Sequence, residues 1–293
     1  MKEINPMLLE NIDIKVIHRA FQKAFSDYAV KLPLSLENFQ TMMKRRGFTP
    51  DISMGAFTEP DQDLVGFVLN GLRQWQGKLT AYDTGTGVSP AYRKQGITSN
   101  LFSEVLDLLK QRGVEQYLLE VLKSNEVAFE LYKKQGFVVT RTFSVFKLNK
   151  NSVRATTTEG ILCVPGIAQD EWDIVKSFWD FDASWQNSID SVKAVPDQFV
   201  YVLVRRDAEI VGYGIVEKTT GDVPQLAVRP DYRRKGIGQS IISTLMQYSQ
   251  TGELRFVNVD DSCESCINFL HDMGAEITSG QYEMLLALAQ GEA

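Results

Sequence analysis

Two short segments of this chain bring a glycine, basic residues and a helix start together. They are Arg93-Lys94-Gln95-Gly96-Ile97-Thr98 and Arg233-Arg234-Lys235-Gly236-Ile237-Gly238. Each follows a predicted strand and opens an apolar-striped helix. A helix N-terminus presents unpaired backbone N–H groups and a partial positive charge. Glycine lets the backbone approach a ligand closely, and the flanking Arg and Lys add charge. That chemistry suits a pyrophosphate. No Gly-Lys-Ser/Thr follows, so the ATP-type P-loop is absent, and there is no GxGxxG of a dinucleotide fold.

Other chemistries are poorly served. Cys263 and Cys266 have CxxC spacing, but zinc needs two more ligands, and only Cys163, His18 and His271 remain among Cys and His. The simpler expectation is no metal, with two small helix residues. Three cysteines cannot build a disulfide framework, which fits a reducing, cytoplasmic setting. The net charge of −6 gives no basic footprint for nucleic acid. No run is apolar for ~18 residues, so no membrane span is expected. Met1 to Asp13 lacks the layout of a signal peptide.

The elements that must position the glycine segments occur twice. Leu64-Val65-Gly66-Phe67-Val68-Leu69 is echoed by Ile210-Val211-Gly212-Tyr213-Gly214-Ile215. Val88-Ser89-Pro90-Ala91-Tyr92-Arg93 is echoed by Val228-Arg229-Pro230-Asp231-Tyr232-Arg233, and Gly136-Phe137 by Gly274-Ala275. The offsets are 146, 140 and 138, so the copies differ by short loop lengths. A polar, threonine-rich stretch from Asn149 to Gly160 puts the boundary near Lys150, giving domains 1–150 and 151–293. Each copy reads as two helices, then strands, the glycine loop, a helix, a buried strand, another helix and a last strand. In copy one, Ser35 is placed to cap a helix through Phe39 and Met43. Strands are predicted over 52–57, 64–69, 79–88, 117–121 and 138–148. In copy two they fall over 199–204, 210–216, 224–228, 254–259 and 282–288. The pattern predicts an α/β (α+β) chain of two tandem domains, each a mixed, mostly antiparallel sheet flanked by helices.

The loop resembles the Arg/Gln-x-x-Gly-x-Gly/Ala motif of the GNAT N-acetyltransferase superfamily, and the likeness extends over almost the whole chain as two tandem domains. Copy two matches the motif fully; copy one has Thr98 at its last position. The resemblance implies acetyl-CoA as cosubstrate, contacted by Val88, Arg93, Lys94, Gln95, Gly96, Ile97, Thr98, Ser99 and Asn125. In copy two it implies contacts from Val228, Arg233, Arg234, Gly236, Ile237 and Gly238. Leu118-Leu119-Glu120-Val121, then Asn125-x-x-Ala128-x-x-Leu131-Tyr132 and Gly136-Phe137, is similar to the family's second conserved stretch. By that resemblance Tyr132 is the general acid facing the CoA sulfur, and Glu120 matches a proposed base. Asp83 is the rival base. Asn125 can cap a helix as well as contact the cofactor.

Amines are mostly protonated at pH 7, with reference pKa values of about 8 for an α-amine and about 10 for lysine. An acyl transfer to one therefore needs a base, and the departing thiolate benefits from an acid. Copy two has Asn258, Cys263 and Leu270 where copy one has Glu120, Asn125 and Tyr132. It keeps the loop but not the proton-transfer groups. The resulting expectation is an acyl-CoA-dependent N-acyltransferase that moves acetyl to a primary amine in a direct ternary complex, with copy one catalytic and copy two degenerate. The alternative is a non-catalytic acyl-CoA sensor or interaction protein. Asp27-Tyr28 and Trp75 are placed to line an acceptor site, and Ser184-Trp185-Gln186-Asn187 holds the corresponding place in copy two.

Overall fold

A computed structural model describes residues 3–27 and 34–288. By compactness the chain divides into two units. Unit 1 comprises residues 1–121, 126–140 and 283–293; unit 2 comprises 122–125 and 141–282. A cut near Lys150 separates the sequence copies, whereas each compact unit takes its closing strand segment from the other copy. Among the described residues no helix is long and apolar enough to cross a membrane.

Unit 1 opens with β1 (Ile4–Leu8) and two helices, α1 (Ile14–Ala24) and α2 (Leu36–Arg45). Asp13 caps α1 by accepting the Lys15 N–H at 2.8 Å, and Ser35 caps α2 by accepting the Asn38 N–H at 3.1 Å. Their apolar stripes meet β2 (Met54–Thr58) and β3 (Leu64–Trp75) in one core that includes Ile17, Phe21, Phe39, Phe57 and Phe67. β4 (Lys78–Val88) returns antiparallel along β3. Their turn holds Gln76 and Gly77 at positive φ, 50° and 80°, as a two-residue hairpin requires. α3 (Ile97–Gln111) then crosses to β5 (Gln116–Leu122), which runs parallel to β4. α4 (Glu126–Lys134) and the start of β6 (Val138–Asn149) follow. The end of β12 (Glu276–Ala287) lies beside β5.

Unit 2 repeats the plan. β7 (Ile161–Val164), two short helices, α5 (Trp172–Lys176) and α6 (Ile189–Ala194), β8 (Phe199–Arg206), β9 (Glu209–Glu217) and β10 (Gln225–Val228) come first. The four strands form one antiparallel sheet in the order β10-β9-β8-β7. α7 (Ile237–Tyr248), β11 (Glu253–Asp260) and α8 (Glu264–Asp272) follow, with β11 antiparallel to β6.

The repeat extends to strand register. Gly66 lies opposite Val88 on β3 and β4, and Gly212 opposite Val228 on β9 and β10. A Cβ on Gly66 would meet Ile97 Cγ2 at 2.9 Å; one on Gly212 would meet Ile237 Cγ2 at 3.0 Å. In both units, then, a bare strand backbone lets the first residue of the loop helix seat directly on the sheet. The structure also carries strand beyond the predicted spans: β1, β7, β3 beyond Leu69 to Trp75, and β12 from Glu276. Asn70-Gly71 looks like a turn, but Asn70 is fully buried and donates to Ile52 O at 2.6 Å. Gly71 is required because a Cβ there would lie 2.4 Å from Arg46 O.

The close seat of Ile97 gives a direct test. Gly66→Ala overpacks a branched, rigid neighbour and should destabilise the chain by about 1–3 kcal/mol, read from urea unfolding. A variant as stable as the parent would show that the loop helix is not held by this contact.

Candidate active site

β4 and β5 pair only at Thr80↔Gln116, Ala81↔Tyr117 and Tyr82↔Leu118, and then diverge. A β-bulge begins at the next residues. Asp83 faces Asn70 and Gly85 faces Leu69, leaving Thr84 as the extra residue. Arg46 Nη1 ties the bulge down by donating to Thr84 O at 2.8 Å. The consequence is a carboxyl, Asp83, that is only 8% exposed at the root of the wedge.

Three donors converge on Asp83. Gly85 N–H reaches Oδ1 at 2.9 Å, Thr86 Oγ1 reaches Oδ2 at 2.8 Å, and Tyr132 Oη reaches Oδ2 at 3.2 Å. Burial dominates, pushing the carboxyl up to about 6, while those hydrogen bonds and the Arg46 charge pull the other way. Tyr132 is held from behind by aromatic edges, with Phe102 at 5.6 Å and Phe137 at 5.8 Å between ring centroids. The structure thus brings Tyr132 together with Asp83.

Glu120 is engaged elsewhere. Adjacent residues on a strand point to opposite faces, and Tyr82, the neighbour of Asp83, is hydrogen-bonded to Glu120. Burial first, then the Glu120 charge, raises the Tyr82 phenol well above its ordinary value. Tyr117 Oη donates to Asn70 Oδ1 at 2.5 Å below the Asp83–Tyr132 pair. Asn125 directly precedes α4 and sends its N–H to Leu122 O at 2.9 Å.

At the far end of β4 the glycine loop has one conformation in both copies. Lys94 and Gly96 have φ of 61° and 78°, and Arg234 and Gly236 have 59° and 80°. The first helical bonds are Asn100 N–H to Gly96 O and Ser240 N–H to Gly236 O, both 3.0 Å. The N–H groups of residues 97–99 and 237–239 therefore precede any intrahelical acceptor. Added Cβ atoms at Gly96 and Gly236 would meet nothing within 4 Å, so each loop faces open space and fits an anionic group of the CoA type.

Arg93 and Arg233, expected to touch phosphate, hold the loop in place. Arg93 donates to Val88 O at 3.1 Å, Ala24 O at 2.7 Å, and both oxygens of Asp27 at 2.6 and 2.8 Å. Arg233 donates to Val228 O at 2.9 Å, Phe178 O at 3.0 Å and Asp180 Oδ1 at 2.9 Å. Each guanidinium fastens the end of a strand to the end of, or the segment just after, the first helix of its unit. Val88 and Val228 contribute the carbonyl of that fastening. Lys94, Gln95 and Ser99 are exposed around the loop in copy one, as Arg234 is in copy two, and Ile97 and Ile237 are buried under it.

Residues 16–137 match the Acetyltransferase (GNAT) family, and residues 196–274 match a second Acetyltransferase (GNAT) domain. This chain is a tandem member of the GNAT superfamily. The tandem GNAT protein of the clavulanic acid biosynthesis pathway shares its fold, with a TM-score of 0.70, 16% identity and 100% coverage of both chains. A GCN5-related N-acetyltransferase from Sphaerobacter thermophilus superposes with a TM-score of 0.71 at 15% identity, covering 99% of this chain and 97% of its own. Among curated proteins, GCN5-related N-acetyltransferase 6, chloroplastic, of Arabidopsis thaliana is 31% identical over 98 residues, 32% of this chain and 34% of its own length. N-alpha-acetyltransferase 30 of Schizosaccharomyces pombe is 32% identical over 71 residues, 24% of this chain and 47% of its own. The chain thus spans a third to a half of the length of these curated relatives.

The second GNAT copy has a wider wedge. The segment before β10 meets β11 at the parallel bridge Asp222↔Arg255, and a cavity of about 550 Å³ opens beyond it. Arg234, Gly236 and Gly238 line it at the loop end, Asn258 and Leu270 deeper in. In the register of the repeat, Val223 replaces Asp83, and Leu270 replaces Tyr132. Both are buried, at 4% exposure, in one apolar cluster. Charged side chains, Asp180, Arg233, Arg234 and Asp272, line part of the cavity, and a neutral chain lies beside it: Trp179 Nε1 donates to Tyr213 Oη at 2.5 Å, and Tyr213 Oη to Gln225 Oε1 at 3.1 Å. Asn258, in the place of Glu120, donates to Ser184 Oγ at 3.0 Å.

The residues suggested for an acceptor site are dispersed. Asp27 is the partner of Arg93, which holds its carboxyl below the usual range; Tyr28 lies outside the described residues. Trp75 faces Lys78 at the hairpin end of β4, five residues from the rung of Asp83. Trp185 is fully buried. The clamp partners Asp27 and Asp180 carry no local signal, standing 66 and 53 residues before their arginines.

The Asp83 carboxyl makes stability depend on pH with a definite sign. Its folded value, about 6, lies above its ordinary 3.8, so its favourable contribution is complete below the unfolded value and is lost as pH rises through the folded one. Relative to the parent, Asp83→Asn should gain stability between pH 4 and pH 7, by up to about 3 kcal/mol, in urea unfolding at each pH. A difference that does not change with pH would place the Asp83 value near that of a free carboxyl.

Proposed function

We propose that the first GNAT unit transfers an acetyl group from acetyl-CoA to a primary amine in a direct ternary complex. The observation that carries this reading is the buried Asp83–Tyr132 hydrogen bond at the root of the β4–β5 wedge. Acetyl-CoA supplies the acyl group as a thioester. The N–H groups ahead of α3, with Lys94 beside them, hold its pyrophosphate, and Arg93 keeps that loop in shape through Asp27.

A carboxyl near 6 is largely ionised at pH 7, yet still close enough to neutrality to exchange a proton readily. Asp83 Oδ2 takes the proton that the attacking amine must lose. Tyr132 Oη gives its proton to the departing sulfur. The 3.2 Å bond between them then returns the proton from Asp83 to the tyrosyl oxygen, so the pair ends as it began. Asp83 is favoured over Glu120 as the base because Asp83 is hydrogen-bonded to Tyr132 and Glu120 to Tyr82.

The second unit binds CoA without comparable turnover. Its loop and cavity support the binding; Val223 and Leu270, which can neither take nor give a proton, support the silence. The relatives' names include an N-alpha-acetyltransferase, which fits an amine acceptor, and the cytoplasm is the compartment proposed for the reaction.

Tyr132→Phe should lower turnover at saturating substrates by roughly 10²–10⁴-fold with any amine that the parent acetylates. It should also move the acid limb of the pH–rate profile, near pH 6 in the parent, upward, because Asp83 loses a donor. Asp83→Asn should abolish that limb. If Glu120→Gln abolishes it and Asp83→Asn keeps it, Glu120 is the base. For the cofactor, Gly96→Glu places a side chain and a charge against the loop. Calorimetric titration with acetyl-CoA should show two sites in the parent and one in Gly96→Glu. Loss of all binding in the variant would confine CoA to the first unit.

A further inference from the structure

The second unit holds a cluster of metal-ligating atoms that neither the loop nor the proton-transfer pair uses. Cys263 is the N-cap of α8, and Cys266 lies in its first turn. The CxxC spacing puts both sulfurs at one helix end, where the helix dipole favours negative charge. Asp180, 83 residues before Cys263, comes to the same point. One ligand atom from each of the three lies within 4.8 Å of the others, and the Cys266 thiol donates to Asp180 Oδ2 at 3.9 Å. Ligand atoms around a tetrahedral zinc ion stand about 3.4–3.8 Å apart, given bonds of about 2.3 Å to sulfur and 2.0–2.2 Å to oxygen. A contraction of at most about 1.4 Å makes the cluster a three-point site.

We propose that Asp180, Cys263 and Cys266 bind one thiophilic divalent cation of the zinc type. The two thiols release their protons to solvent, and two thiolates and one carboxylate then surround a doubly charged ion. The fourth position is left to water or another exogenous donor. Asp180 is already oriented for this, because Arg233 Nη1 occupies its other oxygen at 2.9 Å. Such a charged neighbour behind a ligating carboxylate fixes its direction. The sequence alone does not reveal the site, since the third ligand is a distant aspartate among 37 acidic residues.

The site has a structural consequence. Asp180 and Cys266 both line the unit 2 cavity, and Asp180 is also the anchor of the loop-holding Arg233. A bound cation would tie α8 to the segment after α5 and stiffen the cavity wall beside the glycine loop. The role is separate from acetyl transfer and does not depend on it.

The test is cobalt(II) titration of the full, reduced, metal-free chain, followed by competition with zinc. Expected is one cobalt per chain, with the intense thiolate-to-metal absorption and the visible bands of a tetrahedral site, displaced by zinc, and a higher melting temperature when loaded. Cys263→Ser and Cys266→Ser should each lose the thiolate absorption, and Asp180→Asn should bind at least tenfold more weakly. Cys163→Ser should match the parent. Absence of the thiolate absorption in the parent overturns the proposal, as does its survival in both Cys263→Ser and Cys266→Ser. The parent spectrum decides the matter even if a serine variant folds poorly.

Discussion

The β4–β5 pair holds for three rungs and no more, and the organisation of unit 1 follows from that limit. Where two parallel strands part inside a domain, the edges that face each other lose their shared hydrogen bonds. Buried polar backbone must find other partners. Part of the answer is local: the bulge at Thr84 is fastened by Arg46, and the Thr84 hydroxyl donates back to Leu69 O at 3.0 Å. The remainder of the wedge is space in which polar side chains can be buried and still be satisfied. Asp83, Tyr132, Tyr117 and Asn70 form a connected set there. A carboxyl is raised toward neutrality in such a place, because the surrounding protein excludes water while still supplying donors.

The two copies show that the wedge and its chemistry are separable. Both keep the glycine under the first loop-helix isoleucine, both keep the left-handed turn, and both fasten the loop with an arginine held by an aspartate. What differs is the pair at the root, Asp83 and Tyr132 in one copy, Val223 and Leu270 in the other. Removing one member alone would strand a buried group. An unpartnered carboxylate or hydroxyl costs more than the bond contributed. Exchanging both for apolar side chains restores a satisfied interior, and Val223 and Leu270 join the apolar cluster accordingly. At its root the second wedge has Val223 and Leu270 in place of the pair, with neutral bonds nearby from Tyr213 Oη to Gln225 Oε1 and from Asn258 Nδ2 to Ser184 Oγ.

Most of the architecture was legible in the sequence because it repeats. The glycine loops, the helices they open, the cap at Ser35 and the buried strand around Tyr117 appear where residue pattern puts them. Three things were not legible, each for a physical reason. The second half of β3 hides behind Asn70-Gly71, where the glycine answers a close carbonyl and not a turn. The loop arginines look like phosphate ligands because charge beside a glycine loop suggests it, but their partners lie 53 and 66 residues away in the chain. Which carboxyl meets Tyr132 of α4 depends on the strand face each presents, and the one-residue bulge beside Asp83 helps set that. Composition of the compact units is likewise invisible to a search for repeats, since the exchange of closing strands leaves the order of elements unchanged.

The last position of the loop motif carries a related lesson. Copy two has glycine there, the full family pattern, and copy one has Thr98. In copy two the glycine answers a packing demand: a Cβ at 238 would stand 3.0 Å from the ring of Phe269 on α8. In copy one the equivalent place on α4 is the smaller Leu131, so the strict need for glycine is relaxed. The copy with the complete motif is therefore the one without the Asp–Tyr pair, and the copy with the pair is the one that departs from the motif. Loop glycines report how closely a helix packs and how near a ligand's phosphates can come. They say nothing about the buried polar pair at the other end of the same strand, which must be read from the residues at the root of the wedge.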